Sequence, residues 1–135
     1  MGYGGPAPGQ FCRALQLRVL SSVIPQIRPA QLAARLQASA HHGAPVVLDV
    51  REPMELQIAP VTPQGFDLVA IPMGEIPARL DELDMSQPIA CLCHHGIRSQ
   101  RVAAFLQANG FEHIVNIAGG VSVWSDELDP AVARY

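Results

Sequence analysis

The sequence predicts an α/β fold, a sandwich with a mostly parallel central sheet and helices on its faces. Two observations carry that prediction. Short apolar runs, "PVVLDV" and "PIACLC", show no polar alternation, which is the pattern of strands buried on both sides. Stretches with helical spacing or helix-start signals lie between them, and strand–helix alternation is the pattern of parallel sheets. The 135 residues, 49% apolar and 16% charged, suit one globular domain with a modest core.

The N-terminus, "MGYGGPAPGQ", is rich in Gly and Pro and has no basic residue, so it reads as a flexible tail and does not open like a secretory signal. The apolar run from Phe11 to Ile24 contains Arg13 and Arg18, and is too short and too charged to span a bilayer. Residues 1–25 are therefore assigned to a tail and lead-in segment, and 26–135 to the folded domain. After Pro29, "AQLAARLQASA" places Leu32 and Leu36 at helical spacing and closes on "HHG". "PVVLDV" is a strand. "REPMELQ" is a short helix with Pro53 in its first turn. "APVTPQG" is a loop by composition, "FDLVAIP" a strand, and "EIPARLDEL" a short helix. "PIACLC" is a strand ending at Cys93. "SQRVAAFLQANG" is a helix with Ser99 as its N-cap and Asn109-Gly110 as its stop; Val102, Ala103, Phe105 and Leu106 make its core face. "EHIVNI" is the last strand, and "AGGVSVWSDEL" a turn into a final helix, with Trp124 in the core.

Charge and cysteine content narrow the function classes. A net charge of −3 gives no electrostatic reason to expect nucleic acid or an anionic membrane as partner. Three cysteines, an odd number, do not suit a secreted disulfide scaffold, so a reducing compartment, the cytoplasm, is expected.

The chemistry concentrates in "CLCHHGIRSQ", residues 91–100. Cys91 lies inside the strand run and reads as core. Cys93 sits at the strand tip, followed by His94, His95, Gly96, Ile97 and Arg98 and then the helix, and ligands bind parallel sheets at such ends. Three effects act on its sulfur: a helix N-terminus with unpaired N–H groups, a loop whose amides can turn inward, and the charge of Arg98. Each favours the thiolate, which is a nucleophile. The two cysteines share a strand face, yet an extended backbone holds their sulfurs too far apart for a good disulfide. No metal is expected, because Cys91, Cys93, His94 and His95 are adjacent and do not form the two separated pairs of a structural zinc site.

These residues resemble a rhodanese-homology domain over about residues 26–126. "VVLDVRE" resembles the family's strand and Asp-x-Arg-Glu signature, and "IPMGEIPARLDEL" the segment after it. "CHHGIRS" resembles the active-site loop of single-domain sulfurtransferases, and "NIAGGVSVW" the last strand, Gly-Gly turn and tryptophan. One departure is that "IAPVTPQGFDLVAIP" stands where the family often has Gly-His-Ile-x-Gly-Ala. The resemblance implies a three-layer sandwich with a five-stranded sheet and no cofactor. It also implies transfer of a sulfane sulfur from thiosulfate, mercaptopyruvate or a protein persulfide to cyanide or a thiol, by ping-pong kinetics through a Cys93 persulfide. His94, His95, Gly96, Ile97, Arg98 and Ser99 would form the binding loop, with the amides of His94 through Arg98 holding the persulfide charge. Asp49 and Arg51 would brace adjacent loops as an ion pair.

Two alternatives stand beside this reading. Cysteine phosphatases and arsenate reductases also hold an oxyanion over a thiolate, and the phosphatases use Cys-x5-Arg. Here four residues separate Cys93 from Arg98, a tighter loop suited to one sulfur, and no acidic neighbour offers itself as general acid. The other alternative is a binding or persulfide-carrier module without turnover, which commonly lacks the cysteine that this chain has.

Overall fold

A computed structural model describes residues 23–135 of the chain. Five strands form one sheet: β1 (Gln26–Ile27), β2 (Val46–Asp49), β3 (Asp67–Ala70), β4 (Ile89–Leu92) and β5 (Ile114–Ile117). Their order is β1-β5-β4-β2-β3, and every pairing is parallel. The helices are α1 (Leu32–Ser39), α2 (Pro53–Ile58), α3 (Ile97–Ala108) and α4 (Gly120–Glu127). All four residues of β2, β4 and β5 are buried, as the unbroken apolar runs require of strands covered on both faces.

Alternation along the strands divides the core in two. Val46, Leu48, Ile89 and Cys91 face one side, where they pack with Val102, Leu106 and Phe111 on and after α3. Val47, Ala90, Leu92 and Ile117 face the other, against Leu32 and Leu36 of α1 and Trp124 of α4. Three layers result. Burial of a leucine such as Leu48 or Leu92 contributes roughly 2 kcal/mol. The edge strand β1 was not expected as a strand. It is two residues long, below the length at which periodicity is visible, and it forms because Gln26 and Ile27 lie in register with Asn116 and Ile117. The chain is anchored from Ile24, which is buried, and Pro25 O accepts from the Asn116 amide at 2.9 Å. The tail and Cys12 lie outside the described residues.

Helix α3 buries Ser99, Val102, Ala103 and Leu106, a stripe at i, i+3, i+4 and i+7 that sets its seat on β4 and β5. It ends where Gly110 takes φ +94° and Phe111 N bonds back to Leu106 O at 3.1 Å. The stretch expected as a helix at "EIPARLDEL" is instead a pair of 3-10 turns, Met73–Glu75 and Pro77–Glu82. Pro77 cannot donate a backbone bond, and Arg79 leaves the helical region at φ −117°, so no α-helix is built there. In the sheet, Asp49 of β2 lies beside Leu92 of β4. The residues just past both strand ends, Arg51 and Cys93, therefore open onto the same edge.

Candidate active site

Cys93 is one residue beyond β4, and the chain turns at once through His94, His95 and Gly96 into α3. Gly96 makes the turn at φ +95°, a left-handed conformation that glycine adopts without steric cost. Cys93 is 1% exposed. Gly96 N donates to Cys93 Sγ at 3.0 Å and Ser99 N at 3.3 Å, and Ser99 Oγ lies 3.2 Å away. The loop's carbonyls turn the opposite way. Cys93 O accepts from Val121 N at 2.9 Å and His94 O from Ser122 N at 3.0 Å. These donors are in the first turn of α4, where N–H groups have no partner within the helix. With the carbonyls of Cys93 and His94 held outward by α4, the loop turns so that the Gly96 amide faces the sulfur. Gly120 allows this approach, since a Cβ there would sit 2.3 Å from Cys93 O.

Arg98, the second residue of α3, reaches across to α2 and grips Glu55 with two bonds, Nη1 to Oε1 at 2.7 Å and Nη2 to Oε2 at 2.8 Å. The hydrogen bonds from Arg98 hold the Glu55 carboxyl down at about 2. Tyr135 OH donates to Glu55 Oε2 at 2.8 Å and accepts from Arg51 Nη1 at 3.1 Å. Arg51 and Asp49 form a fully buried pair, with Nη2 to Oδ2 at 2.7 Å and Nε to Oδ1 at 2.9 Å; Arg51 Nη2 also donates to Ala59 O at 2.9 Å. This guanidinium thus ties the end of β2 to the end of α2 and to Tyr135. The Tyr135 ring stacks on His94 at 3.8 Å, and His94 on His95 at 3.8 Å. Burial, then the neighbouring His95, lowers the His94 imidazole below its ordinary value. Below Cys93 on the same sheet face, Cys91 is fully buried, and desolvation pushes its thiol far up.

The structure brings Cys93, His94, His95, Gly96, Ile97, Arg98 and Ser99 together at one edge, with Asp49 and Arg51 behind. Several details differ from the expectations. Ser99 is not the N-cap. Helix α3 begins at Ile97 with Gly96 as its cap, and the Ser99 side chain points inward to sulfur and Asn116. The reason is visible in the buried stripe, which Ser99 begins. Within the His94–Arg98 stretch, Gly96 supplies the amide that reaches Cys93 Sγ; the other amide comes from Ser99. The side chain of Ile97 is two-thirds exposed at 66%. An acidic neighbour does exist, Glu55, though it is engaged by Arg98. Glu55, Tyr135 and Asn116 were missed. The adjacency of β2 and β4 was the only signal for Glu55, and it appears once the strand order is known. Among the described residues, no group of three or more His, Cys, Asp or Glu is arranged to hold a metal ion. Among the same residues, no helix is long and apolar enough to cross a membrane.

A thiol one residue past a central parallel strand, roofed by the amides of the next helix, defines a class of α/β domains that can hold an anion or a sulfur over cysteine. The comparisons with known proteins narrow that class. The model of the rhodanese-like domain matches residues 29–127, and the chain belongs to that family. A rhodanese-related protein of Thermoplasma volcanium has a solved structure that superposes with a TM-score of 0.64 at 31% identity, covering 77% of this chain and 93% of that one. The chain is 30% identical over 78 residues to the thiosulfate sulfurtransferase GlpE of Vibrio cholerae serotype O1, covering 58% of this chain and 70% of GlpE. It is 32% identical over 125 residues to the chloroplastic rhodanese-like/PpiC domain-containing protein 12 of Arabidopsis thaliana, covering 88% of this chain but only 40% of that longer protein. Such relatives support a sulfur-transfer role of the rhodanese kind.

Proposed function

We propose that this protein is a sulfurtransferase that carries a sulfane sulfur as a persulfide on Cys93. The observation that carries the proposal is the set of donors converging on one buried sulfur: two backbone amides and a hydroxyl, all within 3.3 Å of Cys93 Sγ. The two amides are fixed around a sulfur that alternates between anion and persulfide and stabilise its charge without reorganising, and the Ser99 hydroxyl can add a third bond. In the first half-reaction the Cys93 thiolate attacks the outer sulfur of a donor such as thiosulfate. The sulfur–sulfur bond of the donor breaks, sulfite leaves with its electron pair, and the enzyme retains Cys–S–S⁻. In the second half-reaction cyanide or a thiolate attacks the outer sulfur and Cys93 departs as thiolate. Arg98 stands at the rim to meet an anionic donor, and Asp49 with Arg51 keeps the neighbouring strand end in place.

Incubation with thiosulfate followed by intact-protein mass spectrometry tests the proposal. The expected result is a gain of one sulfur atom that is discharged by cyanide, lost in Cys93→Ser and kept in Cys91→Ser. Hydrolysis of a phosphate ester with no sulfur gain would instead make the protein a phosphatase. Absence of both activities would make it a binding module. A panel of thiosulfate, mercaptopyruvate and a protein persulfide as donors then identifies the partner.

A further inference from the structure

Two acceptors contend for the hydroxyl of Ser99. Its Oγ lies 3.2 Å from Cys93 Sγ and 2.6 Å from Asn116 Oδ1. A hydroxyl has one proton to donate. The Asn116 amide cannot flip to resolve the conflict. Its Nδ2 lies 3.0 Å from Gly96 O, which only accepts, and 2.8 Å from Gln26 Oε1. The nitrogen must therefore face Gly96, and Oδ1 must face Ser99. At 2.6 Å a proton has to lie between the two oxygens, and Ser99 alone can supply it. That arrangement turns a lone pair of Ser99 toward the sulfur. A thiol accommodates it by donating S–H to Oγ; a thiolate does not. When the sulfur is charged, the hydroxyl is better turned toward it. Asn116 Oδ1 then loses its donor in a site where Asn116 is 2% and Ser99 0% exposed, so the loss is not made up by bulk water.

We propose that Asn116 is a positioning residue that competes with Cys93 for the single Ser99 proton, so that its side-chain carbonyl sets how readily the Cys93 sulfur holds charge. The inference deepens the sulfurtransferase reading and rests on Cys93 as its reactive sulfur. On ionisation the S–H proton passes to a solvent base, and the Ser99 hydroxyl rotates from Oδ1 to Sγ without any heavy-atom bond changing. In the persulfide the charge lies on the outer sulfur, the inner sulfur is neutral, and the hydroxyl returns to Asn116. The hydroxyl thus faces sulfur in the free thiolate and Asn116 in both the thiol and the loaded enzyme. Asn116 restrains the free thiolate and favours retention of the sulfur.

The test is the rate of Cys93 alkylation by iodoacetamide at pH 6, followed by peptide mass spectrometry to separate Cys93 from Cys91 and Cys12. The four proteins are the wild type, Asn116→Leu, Ser99→Ala and the double variant. Asn116→Leu is expected to react about five- to tenfold faster than wild type, because ionisation no longer gives up the neutral hydrogen bond from Ser99 to Asn116. Ser99→Ala is expected to react more slowly, and the double variant to match Ser99→Ala, since the effect of Asn116 passes through the hydroxyl. An unchanged or slower Asn116→Leu overturns the proposal. So does an acceleration of equal size with and without Ser99, which would place the effect in the shape of the loop. If Asn116→Leu loses cooperative thermal unfolding, Asn116→Ala makes the same comparison. Alkylation needs no sulfur donor, so its outcome is separate from that of the thiosulfate experiment.

Discussion

Gly120→Ala probes how the loop that holds Cys93 is kept in shape. The new Cβ would lie 2.3 Å from Cys93 O and 2.5 Å from His94 O, where real contacts do not fall below 3.0 Å. The shortest contact must open by at least 0.7 Å, the difference between 3.0 and 2.3 Å. Both obstacles are backbone, so no side chain can swing aside. A shift of that size breaks or badly stretches the bonds from Val121 N to Cys93 O (2.9 Å) and from Ser122 N to His94 O (3.0 Å). Each is worth about 1 kcal/mol net. Alanine at φ +59° costs a further ~1 kcal/mol or more. The expected loss is therefore about 3 kcal/mol, or on the order of 10–15 °C in melting temperature for a domain of this size. Sulfur loading should fall as well, because carbonyls released from α4 no longer fix the turn that aims the Gly96 amide at sulfur. Thermal unfolding and mass spectrometry after thiosulfate treatment measure the two effects. Gly74→Ala is the control: no heavy atom lies within 4 Å of its added Cβ, and its change should stay within about 0.5 kcal/mol. A Gly120→Ala protein that melts with the wild type and loads fully would refute the idea that α4 shapes the loop.

Three further outcomes are expected. Arg51→Met leaves the Asp49 carboxylate buried without its partner and should cost about 3–5 kcal/mol in denaturant titrations, part of which Asp49→Asn should restore in the double variant. Glu55 has its folded value lowered to about 2 from 4.5 by Arg98, so its contribution is present above pH 4.5 and is lost as the pH falls through 2. A depression of this size caps that contribution at about 3 kcal/mol; screening of the partly exposed pair reduces it to about 1–2 kcal/mol. Glu55→Gln should accordingly be less stable than wild type at pH 6 and nearly equal to it at pH 2. Cys91 is held as a thiol by desolvation; it should resist alkylation in the folded protein at neutral pH, and react only when denaturant exposes it.

The layers and the helices on both faces were legible because they rest on local patterns. Unbroken runs such as "VVLDV" mark strands covered on both sides, and Asn109-Gly110 marks a helix end. The cysteine was legible for a related reason: Cys93 is where an apolar run stops and a loop begins. Long-range pairings were not. Glu55 meets Arg98 only because β2 and β4 are neighbours, and strand order is not encoded in any window of sequence. Asn116 reads as a polar break in "HIVNI", with nothing nearby to say that it lies under the Cys93 loop. Ser99 was misplaced by one turn. A serine before an apolar stripe suggests a cap, whereas the same spacing also makes it the first residue of the stripe. Cap and stripe readings could be separated only by where Gly96 turns the chain.

The pairing of Arg98 also redistributes the electrostatic work at the site. From the sequence, its charge was assigned to the sulfur. In the fold that charge is answered by a carboxylate at 2.7 and 2.8 Å, and Arg51 behind it is answered by Asp49. Two neutral pairs leave little net positive potential near Cys93, so the burden of holding negative charge falls on the dipoles of Gly96 N, Ser99 N and the Ser99 hydroxyl. Dipoles at fixed positions suit a single small anion seated on the sulfur better than a phosphoryl dianion, whose charge is spread over three oxygens and is best met by an unpaired guanidinium. Under the proposed function, a dianionic donor such as thiosulfate would have to draw Arg98 from Glu55 before it gains the ion pair. On the proposed persulfide reading, that competition weakens donor binding and leaves the covalently held sulfur untouched. On that reading the charge arrangement favours a sulfur held firmly by its covalent bond and donors held lightly.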